Sequence, residues 1–509
     1  MLCQIINEVL YCRPMSDLPP EVVPTAPSIP EPEAPVSDSI AGGPGAISRS
    51  PFLSTWGTIL CSILVALLIG SLFLSSTTQL DKLDRSEESL ERLVSREMEL
   101  RDALNRASEW ERRTYTVLSG DKDTLNESVG WYDELVGVVE SPLAQLYRVV
   151  LLAEAGQAER VSAAIVPWEF RDEGTARMAG WIRAAYLGMP PDAETGRKLV
   201  EEIRDGLPAG WFADVLVARV AAGIGDRVAL SEAESAIAVR GDTLLYRHRV
   251  LVVGELALLS LGVIVLGWIR GRRSEVRVGE APVPPSWMFQ DGYGLFIRGV
   301  LGFLVISALV PFVLDKETPF VGVATLVAGA PLMWWTLRYL SVEGISPQLT
   351  FGLQPPAGGV GRVASVLVVL IGLSVAGEVA ISVLFGVLHI QTHWADGLLE
   401  DLLWGPPWFA ISQAFDSVVW APFVEEIAFR GVLYATLRTR MRVWPAVLVS
   451  AGIFAFAHGY SVMGFASVFW SGTLWALAYE HTRSLLPGML AHAVNNLLVT
   501  LEFVWLLRV

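Results

Sequence analysis

The sequence predicts an all-α polytopic membrane protein of about nine transmembrane helices, with an extracytoplasmic helical domain inserted between the first and the second. Three observations lead there. The 509-residue chain is 52% hydrophobic and 18% charged, with a mean hydropathy of +0.46, which is too apolar for a wholly soluble protein. Its apolar residues gather into stretches long enough to cross a hydrocarbon core as helices. Much of the acid behind the net charge of −15 lies between Asp81 and Asp242, which marks a water-exposed domain. The same acidity argues against a nucleic-acid partner. Cys3, Cys12 and Cys61 show no metal-ligand spacing, so neither a disulfide scaffold nor a redox site is expected.

Residues 1–50 are rich in Pro, Ser, Ala and Gly and read as a disordered tail. Residues 51–79 hold the first apolar run, Trp56 to Ser76, too far from Met1 for a cleaved signal peptide and so expected to be a signal anchor. From 80 to 247 the pattern is polar and helical. Leu80, Leu83, Leu90, Leu93, Leu100 and Leu104 mark one apolar stripe, and later Ala-rich segments suggest paired, repeat-like helices. No titratable cluster stands out in this domain, which points to contacts with a protein partner rather than to chemistry.

Residues 248–345 should carry spans two to four: Val250–Ile269, Phe296–Leu314 and Phe320–Leu340. Residues 346–509 should carry the rest: Val363–Leu388, Trp408–Leu437, Val443–Gly459, Val462–Tyr479 and Leu485–Leu507. Arg270, Arg272 and Arg273 follow the second span, and the positive-inside rule puts them in the cytoplasm. That makes this a multi-pass cell-membrane protein with a cytoplasmic N-terminus and the 80–247 domain outside. The loops agree: Arg338, Arg362, Arg438, Arg440, Arg442 and Arg483 fall inside, while the acidic Asp396 to Asp401 segment falls outside.

Inside the apolar third of the chain, Trp420 to Gly431 contains Glu425, Glu426 and Arg430. A charge near the bilayer centre costs at least a few kcal/mol, so three together require compensation. Glu426 and Arg430 are four apart with the acid first, the favourable order for an intrahelical pair, whereas Glu425 projects about 100° round the helix. Glu425 is therefore the carboxylate left to act on something else. The next spans bring Phe454-Ala-Phe-Ala-His458 and His492-Ala-Val-Asn495-Asn496, with His492 and Asn496 on one helical face. At 1.5 Å per residue, Glu425 lies roughly 20 Å from Arg438, His458 roughly 24 Å from Arg442 and His492 roughly 14 Å from Arg483, so all three can meet within the membrane.

A carboxylate in low dielectric can take a proton from water near neutral pH, and a histidine can share it. Two histidines and a carboxylate, here Glu425, His458 and His492, are also the ligand types of an open zinc site or that of another divalent metal. Sequence spacing leaves metal-bound water and metal-free, glutamate-activated water open. Asp416, Glu378 and Glu255 are secondary candidates expected to line polar cavities, while His248, His389, His393 and His481 are expected at the interfaces.

These three motifs, in this order and each on an apolar helix, resemble those of the CPBP family, the CAAX prenyl endopeptidases and bacteriocin-processing intramembrane proteases, which include lysostaphin-resistance-protein-A-like members. The resemblance covers Val363 to Leu507 firmly and Phe296 to Leu340 loosely. It implies an intramembrane endopeptidase acting on a protein or peptide substrate held in or beside membrane lipid. It also implies Glu425 as general base or metal ligand, Glu426 and Arg430 in support, His458 assisting, and His492 with Asn496 at the oxyanion. The chain departs from the family in its additional anchor and its 80–247 domain. A catalytically inactive scaffold and a proton-coupled transporter are the competing expectations.

Overall fold

Four helices in the N-terminal half begin where short polar side chains take up the free N–H groups of a first turn. Asp123, Ser141, Asp172 and Asp192 each accept from a backbone N–H two or three residues ahead. In this computed structural model the described residues are 53–75, 80, 83–119, 123–272, 276–313, 326–356, 358–388, 390, 393–396 and 398–508. The tail expected over 1–50, Cys3, Cys12, His389 and the start of the span expected over Phe320–Leu340 lie outside them. Among the described residues there is no strand, and the protein is an all-α membrane protein.

Helix α1 is Thr55–Ser75. A layer of eight helices follows: α2 Ser86–Arg106, α3 Glu109–Ser119, α4 Thr124–Val138, α5 Pro142–Glu154, α6 Ala158–Ile165, α7 Glu173–Tyr186, α8 Ala193–Gly206 and α9 Trp211–Ile224. The leucine stripe of α2 is the face it buries: Leu90, Leu100 and Leu104 are in the interior with Val94 and Met98. One core joins these helices except α3, centred on Tyr132, Tyr147 and Phe212, the last two stacked with ring centroids 4.1 Å apart. Glu99 is buried on α2 and is neutralised by Arg240, which also donates to Asp214 at 2.6 Å.

Arg227–Arg272 is a single 46-residue helix, α10, about 69 Å long at 1.5 Å per residue. It contains no proline, so nothing stops it between its polar first half and its apolar second half. The junction expected at residues 247 and 248 therefore falls inside a helix. The apolar half of α10 crosses Gly359–Val387, α13, at a glycine pair; a Cβ on Gly262 would lie 2.8 Å from the Cα of Gly372. Small residues at such a crossing let two membrane helices approach closely.

Phe289–Val313 and Ala330–Val342 form α11 and α12. After α13 come the short α14, Glu400–Trp404, then a continuous helix over 407–438, α15, then α16 Val443–His458, α17 Val462–Thr482 and α18 Leu486–Phe503, prolonged by π-helical turns at Val504–Arg508. Five helices among the described residues are long and apolar enough to cross a membrane, and Thr55–Ser71 and Val443–His458 are shorter apolar stretches.

The two ends of this bundle differ. At one end, Arg438 donates to Glu480, Arg362 donates to the Arg277 carbonyl, and the backbone of Val278, Gly279 and Ala281 hydrogen-bonds to the carbonyls of Thr482 and Arg483. At the other end the helical layer meets the loop before α15. Trp394 of that loop sits in the core of the layer, and His393 pairs with Glu134 at 3.0 Å. Glu400 accepts from the Asp84 and Arg85 N–H groups and from the Ser89 hydroxyl, capping α2 from a distant part of the chain. Arg92 and Arg247 donate to the Leu507 and Trp505 carbonyls at the C-terminal end of the last helix.

Glu400→Ala removes the acceptor of three hydrogen bonds, two of them from the N–H groups of the residues that lead into α2. It should cost about 1–3 kcal/mol. A drop in the thermal midpoint of the purified protein in detergent measures it, and an unchanged midpoint would show that the loop does not secure the layer.

Candidate active site

The helix over 407–438 does not keep one pitch. α-Helical Pro407–Phe415 gives way to a π-helical turn, Asp416–Trp420, then to α-helical Ala421–Glu425 and to a longer π-helical stretch, Glu426–Tyr434. Pro422 lies at the second junction; it has no N–H to give to the preceding turn and so cannot continue the ladder there. π-Helical turns inside α-helices are rare and tend to occur where a helix must aim side chains at a site. Glu425 is the last residue before the wider turns and Glu426 the first within them.

That register separates the two acids. Glu426 and Arg430 have side chains 1% and 0% exposed and are joined by a 2.9 Å bond from Nη1 to Oε1. Arg430 spends a second donor on the Gly472 carbonyl at 3.2 Å, and its guanidinium lies 4.2 Å from the centroid of the Phe454 ring and 5.1 Å from that of Trp475. Glu425 keeps 29% of its side chain exposed, and its Oε2 makes no hydrogen bond among the described residues. The pair expected from spacing is present, and the acid left over is the more exposed of the two and has an oxygen without a hydrogen bond among the described residues.

His492 stands between the two carboxylates. Its Nδ1 is 3.2 Å from Glu426 Oε1, and its Nε2 is 3.8 Å from Glu425 Oε2. The imidazole stacks on Trp475, with centroids 4.0 Å apart and planes at 19°, and is 3% exposed. Glu426, held by Arg430, fixes the Nδ1–H tautomer and leaves the Nε2 lone pair facing Glu425. Gly488 lies one turn before His492 on α18; a Cβ there would come within 3.1 Å of Glu426 Oε2, so the close approach of α15 and α18 needs this glycine.

His458 is the last residue of α16, and its Nδ1 is 2.8 Å from the Phe454 carbonyl, which leaves its Nε2 as the acceptor. Phe454 connects the two histidines: its ring centroid is 4.7 Å from that of His458 and 6.0 Å from that of His492. Asn496 donates to the Ser417 carbonyl at 2.8 Å and so ties α18 to the first π-helical turn, while its second amide N–H remains a donor. Glu425, Glu426, Arg430 and His492 are thus brought together, His458 is connected to His492 through the Phe454 ring, and Asn496 lies one turn further along α18.

The metal set expected from Glu425, His458 and His492 does not close in this way. Among the described residues no three His, Cys, Asp or Glu side chains come together as a group that could hold a metal ion. Each histidine has the tautomer that would suit a ligand, but the three donors do not converge on one point. Of the other polar residues, Glu378 accepts from Ser467 and serves helix packing, and His248 packs edge-on against Tyr115.

Two aromatic residues of the site were given no role by the sequence. Phe454 could have been given one, since it lies four residues before His458 and shares its helical face. Trp475 gave no signal, because a tryptophan in an apolar helix is ordinary.

Residues 406–498 match the Rce1-like family, described as type II CAAX prenyl endopeptidases. This Rce1-like segment begins one residue before the 407–438 helix and ends two past Asn496, so it takes in every side chain of the cluster. It agrees with the resemblance seen in the three motifs and leaves the helical layer outside. Comparison with curated proteins and with solved structures finds no match.

Within the Rce1-like segment, the Glu426/Arg430 pair predicts a large stability effect. Arg430→Ala leaves a buried carboxylate without its cation and should cost about 3–5 kcal/mol. The loss would appear as a lower thermal midpoint, and an unchanged midpoint would mean that the pair is not sealed from water.

Proposed function

We propose that the protein is an intramembrane endopeptidase, a nine-span cell-membrane enzyme that hydrolyses peptide bonds in or beside the bilayer, with its helical layer outside the cell. The observation that carries this reading is the division of labour between adjacent acids: Glu426 is bonded to Arg430 and His492, whereas Glu425 Oε2 makes no hydrogen bond among the described residues and has His492 Nε2 3.8 Å away. The Rce1-like match supports it, since it spans the same residues.

In this reading a water bound beside Glu425 loses a proton to Oε2 as its oxygen bonds to the carbonyl carbon of a substrate amide. The water oxygen becomes part of a tetrahedral intermediate, and the carbonyl oxygen takes the negative charge. His492 Nε2, opposite Glu425, shares the proton. Once protonated, His492 becomes a donor at both nitrogens and, with the free N–H of Asn496, can stabilise the oxyanion. When the intermediate collapses the C–N bond breaks, and the leaving nitrogen takes back the proton held between Glu425 and His492. His458, with its Nε2 open, assists by holding water or substrate. The neutral tautomer fixed by Glu426 cannot donate from Nε2, so the oxyanion role of His492 begins only after proton transfer.

Two measurements test this. Glu425→Gln keeps shape and hydrogen bonding but loses basicity, and should slow cleavage of a membrane-inserted reporter peptide in liposomes by at least about 100-fold while leaving insertion and folding intact. Retained cleavage would contradict the assignment. Activity should also survive exhaustive chelation, because the donors do not converge on an ion; loss on chelation and recovery with zinc would restore the metal-bound alternative.

A further inference from the structure

The loop between α13 and α15 touches two bodies at once. On one side Trp394 is 5% exposed and packed in the core of the helical layer, with Ala395 and Leu398 against the same core. His393 adds a fixed orientation. Its Nδ1 accepts from the Ala395 N–H at 3.1 Å, so its Nε2 carries the proton and points it at Glu134. On the other side, Asp396 Oδ2 accepts from the Ser461 N–H at 3.0 Å. Ser461 is the N-cap residue of α17 and makes no side-chain cap of its own, so a carboxylate there meets an N-terminal turn whose dipole favours negative charge.

Ser461 closes the turn that begins at His458. Gly459 takes the left-handed conformation that ends α16, with φ 65°, and Tyr460 follows, its ring 5.7 Å from that of His458. Three residues therefore separate a site histidine from a second core helix, and the acceptor at the far end belongs to a loop anchored in the helical layer. Partial burial, and then the Glu425 and Asp396 carboxylates, hold the Tyr460 hydroxyl above its usual range, so the turn lies within electrostatic reach of the site as well as of the loop.

We propose that Asp396 is a positioning residue, seated by the helical layer through Trp394 and His393, which holds the His458–Ser461 turn and so fixes where His458 stands in the site. The helical layer is then part of the working enzyme, because displacing Trp394 releases the carboxylate that holds the turn. This rests on the reading of His458 as a site residue, but it concerns placement and can be measured without turnover.

The experiment uses the full chain in liposomes and reads the rate at which diethyl pyrocarbonate modifies each histidine, followed by mass spectrometry. It is run in the Glu425→Gln background so that catalysis plays no part. Losing a hydrogen bond to a charged acceptor should raise local opening, and with it the modification of His458, roughly tenfold in Asp396→Ala and in Trp394→Ala. Asp396→Asn, which keeps an acceptor oxygen, should stay within about twofold of the parent, and His492 should be unchanged in all three. An unchanged His458 rate in Asp396→Ala and Trp394→Ala overturns the proposal, as do parallel rises at His458 and His492, which would mean general loosening. If these rates behave as expected while the chain with Glu425 intact cleaves no reporter, the peptidase reading fails and the coupling stands.

Discussion

The ion pair between Glu426 and Arg430 is what the rest of the site depends on. It lies where water does not reach, so neither charge can stand without the other. Arg430 closes its remaining contacts on a backbone carbonyl and two aromatic faces. Glu426 then has one partner left to choose, and the partner it has is His492. A histidine so constrained presents a known nitrogen to Glu425, and a carboxylate with nothing else to bind is left opposite. The proposed chemistry starts from a structural arrangement that satisfies two buried charges.

Much of this was legible in the residues. The i,i+4 spacing of Glu426 and Arg430 predicted their bond, which the structure shows, and Glu425 Oε2 makes no hydrogen bond among the described residues. The apolar segments predicted helices at nearly the positions observed, since hydropathy and helical length are set by the bilayer rather than by tertiary detail. Other features were not legible, for physical reasons. Regular α-helical spacing cannot announce a π-helical turn, so the shift in pitch beginning at Glu426 was hidden. The continuity of Arg227–Arg272 was hidden too, because polarity changes halfway along it while helix propensity does not. Trp475 beneath His492 and Glu400 capping α2 are long-range contacts for which local pattern carries no information.

The helical layer changes what kind of object the bundle is. A loop joining two membrane helices is ordinarily free to move, but here its tryptophan fills a core made by another part of the chain and its glutamate caps another helix. The C-terminal end of the last helix is caught by Arg92 of the same layer and by Arg247 of α10. The helix carrying His492 and Asn496 is therefore tied at its far end to a body outside the Rce1-like segment, and so is the turn beyond His458.

Direct attack on the amide by a water that Glu425 activates is the step on which the proposed reaction turns. A single turnover of excess enzyme in ¹⁸O-water tests it most directly. Direct attack predicts one labelled oxygen in the new carboxyl terminus of the product and none in Glu425. Unlabelled product with the heavy oxygen in the Glu425 side chain would show that the carboxylate itself formed the bond, and would contradict the role of Glu425 as a base.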